Sequence, residues 1–124
     1  MAARYSEPLF VISVAARLVE MHPQTLRKYE REGLVAPSRT AGNLRLYSDE
    51  DIERLRQVKY LVETRGLNLA GVQLVLELTR SLRGLRDSMG ESPGGKSWAR
   101  EIDRILIDLG FVDEHRVRES AKRG

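Results

Sequence analysis

A mainly α-helical fold is predicted: a winged helix-turn-helix head with a small β-hairpin as its wing, followed by a helical dimerisation segment. Three observations predict it. Two short amphipathic patterns, one after Ser13 and one after His22, meet across a turn of about two or three residues. A Gly42–Asn43 pair separates two short segments able to pair as a hairpin. From Ser48 onward the apolar residues recur at helical rather than alternating spacing.

Each element has local signals. Ser13 is read as the N-cap of a first helix in which Ala15, Leu18 and Val19 form the apolar face, ending near Glu20 or Met21. His22 caps the second helix, with Pro23 at its first position, where a missing N–H costs nothing. Met21 and Leu26 stand where a hydrophobic staple would form, and Gly33 supplies the left-handed residue that ends the helix. Ser38–Ala41 and Leu44–Tyr47 are the expected hairpin strands. Ser48 caps a third helix with Asp51 three residues on, a weak capping box, and Ile52, Leu55, Val58 and Val62 form its buried stripe until Gly66.

Asn68 caps a fourth helix running to about Met89. Within it Gly71, Val75, Leu78, Leu82, Leu85 and Met89 make an a/d seam of about two and a half heptads, suited either to an intramolecular stripe or to a partner helix. A Gly/Pro break spans 90–97. Trp98, Ile102, Ile105, Leu106 and Leu109 then mark a fifth helix, which either forms the dimerisation arm or folds back on the fourth. The expected organisation is a winged-helix domain over 8–79, a dimerisation region over 80–110 built on Val75, Leu78, Leu82, Leu85, Met89, Trp98, Ile102, Ile105 and Leu109, and a polar, fraying tail over 111–124.

Composition narrows the function. The 124 residues suffice for one ordinary domain, or a small domain with an oligomerisation element. There is no cysteine, which excludes a disulfide framework, a thiolate zinc site and a cysteine nucleophile, and fits a reducing setting. His22 and His115 follow no metal-ligand spacing, so neither metal nor cofactor is expected. No catalytic residues are expected either, because nucleophile, base and orienter would have to come from scattered side chains. MAARYSEPLF lacks the apolar core of a secretion signal and no apolar run nears the ~20 residues that span a bilayer, so a cytoplasmic, nucleoid-associated location with no membrane partner is expected.

The formal net charge is only +3, but between His22 and Tyr47 five basic residues (Arg27, Lys28, Arg31, Arg39, Arg45) face two acidic ones. The next six residues, Ser48 to Glu53, hold four acids and no base. Such concentration suits a surface that meets phosphates. On the second helix Leu26 and Tyr29 take the inner side and leave Gln24, Arg27, Lys28 and Arg31 exposed. Gln can bond adenine and Arg guanine bidentately, while Lys or Arg can instead hold phosphate. Arg39 and Arg45, at opposite feet of the wing, are placed to grip flanking backbone or minor groove.

These residues resemble a known family. Thr25-Leu26-Arg27, Tyr29-Glu30, Gly33-Leu34, then Arg45 and Tyr47 closing the wing, then the acid-capped helix from Ser48 to Ile52, are similar to the winged head of MerR-family regulators over roughly residues 10–78. PLFVISVAARL and GLNLAGVQLVLEL further resemble the HspR heat-shock-repressor branch. The resemblance implies a dimeric repressor of heat-shock and chaperone genes that binds an inverted-repeat operator in double-stranded DNA and takes the DnaK chaperone as co-repressor. It implies DNA contact by Gln24, Arg27, Arg39 and Arg45, with Tyr29 at the DNA-facing edge; Lys28 stands where many relatives carry tyrosine. The full DNA-facing set expected adds Ser13, His22, Thr25, Lys28, Arg31, Thr40, Asn43 and Tyr47. That branch is expected to end in an extended helix and an apolar tail, whereas RESAKRG is polar. The alternatives are an architectural or excisionase-like accessory protein, or another MerR-type regulator without bound metal.

Overall fold

The computed structural model describes residues 5–112; the expected polar tail from 113 on, and His115 with it, lie outside the described residues. Among the described residues the elements follow in the order β1 Phe10–Val11, α1 Ile12–Val19, α2 Pro23–Arg31, β2 Ser38–Arg39, β3 Arg45–Tyr47, α3 Asp49–Glu63, α4 Leu69–Gly90 and α5 Gly95–Asp108. They group into two compact units, one up to Arg56 and one from Gln57 to Val112, with the boundary inside α3. No described helix is long and apolar enough to cross a membrane.

In the first unit the sheet is antiparallel in the order β1-β3-β2. The hairpin β2–β3 has Ser38 opposite Leu46 and Arg39 opposite Arg45. On its other side β3 pairs with β1, Phe10 opposite Tyr47 and Val11 opposite Leu46. This strand displaces the expected start of α1: the cap is Val11, in extended backbone because it is paired, and it makes no side-chain cap bond. Ser13 therefore lies inside α1, exposed, and not at its cap. The helix buries Ala15, Ala16 and Val19 and leaves Leu18 41% exposed.

The turn between α1 and α2 is tight. Glu20 adopts the left-handed conformation at φ 55°, and the Met21 N–H donates back to the Ala16 carbonyl at 3.0 Å. His22 Nδ1 accepts from the Gln24 N–H at 3.0 Å and Pro23 takes the first helical position, as its sequence predicts. Gly33, at φ +78°, lets the Leu34 N–H reach the Tyr29 carbonyl at 2.9 Å. Leu34 and Val35 then turn inward, buried.

The capping box of α3 is fully formed. The Ser48 N–H donates to Asp51 Oδ2 at 3.0 Å, and the Asp51 N–H donates to Ser48 Oγ at 3.1 Å. Burial raises the Asp51 carboxyl above its ordinary range against the opposing pull of the Ser48 hydrogen bonds. Further along, Arg54 Nε donates to the Leu34 carbonyl at 2.5 Å and Arg56 Nη2 to the Leu18 carbonyl at 3.3 Å, so α3 holds the chain just past α2 and the last turn of α1. Within α3, Leu61 is buried and Val62 only half-buried, a shift of one residue from the expected stripe.

In the second unit Asn68 caps α4 as expected, its Oδ1 accepting from the Gly71 N–H at 2.9 Å. α5 begins at Gly95, inside the expected break, and folds back on α4. A Cβ at Gly95 would lie 1.7 Å from the Met89 carbonyl oxygen, so only glycine admits this close reversal. The inner stripe of α5 is Gly95, Ala99, Ile102 and Leu106, whereas Trp98 points out and is 63% exposed. Ile102, Leu106 and Phe111 cluster with Leu82 and Met89, which makes Phe111 part of the core and not of the tail.

The buried face of α4 is Val72, Leu76, Thr79 and Arg86, one step around the helix from the predicted seam. Leu78 and Leu85 of that seam remain 45% and 51% exposed. Buried polar side chains on this face are tied together: Gln57 Nε2 donates to Thr79 Oγ1 at 2.8 Å and to the Leu109 carbonyl at 3.0 Å, and Thr79 Oγ1 donates to the Val75 carbonyl at 2.8 Å. Arg86 pairs with Asp103 at 3.2 Å and Asp87 at 3.1 Å.

Ser48→Ala, which removes one half of the capping box, is expected to lower unfolding stability by about 1 kcal/mol in urea titration. An unchanged midpoint would show that α3 does not depend on this cap.

Candidate nucleic-acid interface

The candidate interface is built on α2 and the hairpin that follows it. Leu26 is fully buried and Tyr29 is 8% exposed, which fixes the roll of α2 about its axis. Gln24, Lys28 and Arg31 are consequently exposed, and Arg27 and Thr25 lie at the margin, half-buried. His22 is exposed as well. Its Nδ1 is occupied by the Gln24 N–H, which leaves Nε2 on the outer edge.

The wing is held by its own polar side chains. Thr40 Oγ1 accepts from the Leu44 N–H at 3.1 Å, the Thr40 N–H donates to the Leu44 carbonyl at 3.0 Å, and Asn43 takes the left-handed position at φ 64°. Thr40 and Asn43 thus shape the tip, and both are exposed. Arg39 Nη1 lies 3.4 Å from both the Asn43 carbonyl oxygen and Asn43 Oδ1.

Arg39 and Arg45 stand on the two strands of the wing as direct cross-strand partners. Like charges in that arrangement repel. The repulsion is relieved by Glu30, near the end of α2, whose Oε1 accepts from Arg39 Nη2 at 2.7 Å and whose Oε2 accepts from Arg45 Nε. The side chains keep 37% (Arg39), 29% (Arg45) and 19% (Glu30) of their exposure. At such exposure each pair is worth on the order of 0.2–1 kcal/mol, so the bridges set orientation more than stability. Glu30 belongs to the sequence pattern quoted above, but no role there marks it as a link; only the fold shows that both arginines reach it.

Two residues of the expected DNA-facing set point the other way. Tyr47 is fully buried, and Tyr29 nearly so. Burial first, and then the nearby Glu30 carboxylate, push the Tyr47 phenol above its ordinary value, so it stays neutral. Their rings support the surface from beneath. Ser13, on α1, is exposed, on an element separate from α2 and the wing.

A short helix-turn-helix whose second helix carries an exposed polar stripe, flanked by a basic β-wing, defines a winged helix-turn-helix head of the nucleic-acid-binding class. The chain belongs to the MerR HTH family of regulatory proteins, whose pattern matches residues 10–79. It is 52% identical over 84 residues to the heat shock protein HspR of Streptomyces coelicolor, a match covering 68% of this chain and 56% of that protein. It is 42% identical over 111 residues to the transcriptional regulator GlnR of Bacillus anthracis, covering 90% of this chain and 80% of that protein. The regulator MlrA of Salmonella typhimurium is 32% identical over 111 residues, with 41% of its length covered. A crystal structure of the regulator PbrR691 from Ralstonia metallidurans in complex with lead(II) aligns with a TM-score of 0.48 at 26% identity, over 93% of this chain and 84% of that one. The relatives are regulators and not enzymes, in line with a chain from which no catalytic constellation was expected.

Tyr47→Phe is expected to leave duplex affinity within about twofold of wild type, since its hydroxyl is buried, whereas Tyr47→Ala should destabilise the head by roughly 3–5 kcal/mol. Fluorescence anisotropy with a labelled duplex and thermal melting separate the two effects; lost affinity in a stable Tyr47→Phe protein would restore the tyrosine to the contact surface.

Proposed function

We propose that the chain is a sequence-specific DNA-binding transcriptional regulator, a homodimeric repressor of heat-shock and chaperone genes acting on an inverted-repeat operator. The observation that carries the DNA-binding reading is the joining of the exposed α2 stripe to the arginine wing through Glu30. α2 enters the major groove, where Gln24, Arg27 and Lys28 meet base edges or phosphates, while Arg31, Arg39 and Arg45 meet the backbone. The heat-shock assignment is supported by the 52% identity to HspR. With it comes the DnaK co-repressor as a partner to test.

Dimerisation is supported by the apolar side chains left uncovered in the second unit: Leu78, Leu85, Trp98 and Ile105 are each more than two-fifths exposed. Val75 and Leu109 are half-buried, and Leu82, Met89 and Ile102 are engaged within the chain and steady this face from inside. A two-fold pair of heads reads two half-sites in mirrored order. GlnR matches a larger share of this chain than HspR does, which favours as second reading the same DNA-binding dimer answering a different signal.

The test is protection of the DNA upstream of this gene, or of a neighbouring chaperone operon, by purified protein. A two-fold symmetric footprint at a chaperone promoter is expected; protection only elsewhere would favour the second reading, and no preference over random duplex would refute both. If each protomer neutralises on the order of four phosphates, log K should fall with log salt at a slope of roughly −7. Arg27→Ala should lower operator affinity by roughly 1–3 kcal/mol and relax base preference, while Arg45→Ala should weaken operator and random duplex alike. Equal losses on both DNAs for both variants would remove base readout by α2.

A further inference from the structure

We propose that Glu30, an acidic residue in the middle of a basic surface, is a positioning residue for duplex recognition: one carboxylate holds the two wing arginines in the conformation that meets phosphate. The inference rests on the DNA-binding reading above and adds to it the residue that organises the wing.

The geometry distinguishes positioning from mere neutralisation. Glu30 spends one oxygen on each arginine, Oε1 on Arg39 Nη2 and Oε2 on Arg45 Nε. For Arg45 the bond uses the inner nitrogen, and among the described residues neither terminal nitrogen is engaged, so the outer edge of its guanidinium remains available for a phosphate. Arg39 is steadied from two sides, by Glu30 through Nη2 and by Asn43 through Nη1. Without the carboxylate, two long cations placed directly opposite each other on β2 and β3 would splay apart. They would then have to be ordered at the moment of binding. Glu30 also sits near the end of α2, so the same contact sets the distance between the wing and the stripe of Gln24, Lys28 and Arg31.

The consequence has an unusual sign. Removing an acidic side chain from a surface that binds a polyanion should raise affinity if charge alone acts. Positioning predicts the reverse: Glu30→Ala should weaken duplex binding by about two- to ten-fold for each arginine that must be ordered on association. Glu30→Gln keeps an acceptor oxygen but no charge to hold two guanidinium groups, and should weaken it less.

The test measures anisotropy of a labelled mixed-sequence duplex, long enough for two half-sites, with wild type, Glu30→Ala, Glu30→Gln, the Arg39→Ala/Arg45→Ala pair, and that pair combined with each Glu30 change. Thermal melting accompanies each protein. The expected result is weaker binding when Glu30 is replaced in the wild-type background and no weakening when both arginines are already absent. A Glu30 loss that persists unchanged without the arginines would assign it to the fold of the head and overturn the inference, as would Glu30→Ala and Glu30→Gln proteins that bind as tightly as wild type or more tightly. A wild-type protein that binds no duplex would instead overturn the DNA-binding reading itself.

Discussion

The arrangement of this head depends on a carboxylate shared between two guanidinium groups. Glu30 lies on the helix and its partners on the facing strands, so the contact converts two separate local structures, α2 and the hairpin, into one surface. Several residues of the first unit bring these partners together. Leu26 and Tyr29 fix the roll of α2; Gly33 turns the chain out of it; Thr40 and Asn43 close the hairpin so that Arg39 and Arg45 stand side by side. The surface is cationic overall, but its geometry is set by an anion.

Beneath this surface, backbone groups are held by side chains from α3. The guanidinium groups of Arg54 and Arg56 reach carbonyls just past α2 and near the end of α1, while the Ser48–Asp51 box fixes where α3 starts. The Leu18 carbonyl belongs to the last turn of α1, where Arg56 supplies both a hydrogen bond and the favourable sign for the helix dipole. These arginines therefore act inward, in contrast to Arg39 and Arg45. Counting basic residues alone does not separate the two roles.

Much of the head was legible in the sequence because its signals are local. His22 before Pro23, Gly33 after the helix, and Ser48 with Asp51 each act within a few residues, and each appears in the structure as read. What the sequence obscured depends on distant pairing. β1 is two residues long and exists because β3 lies beside it; that pairing makes Val11 the start of α1 and leaves Ser13, a good cap by composition, inside the helix. The inner face of α4 is obscured for a different reason. Thr79 and Arg86 are buried by hydrogen bonds and ion pairs, so a search for apolar periodicity selects the neighbouring stripe with its exposed Leu78 and Leu85. The role of Glu30 is a contact across the fold, and no spacing rule encodes it.

The most direct test of the account is amide chemical-shift mapping of isotope-labelled protein during titration with duplex DNA. The account predicts that residues 22–31 of α2 and residues 39–45 of the wing shift together and saturate at the same DNA ratio, with α5 unaffected. Shifts confined to one of the two segments, or centred on α4 and α5, would contradict the claim that helix and wing form one DNA-reading surface.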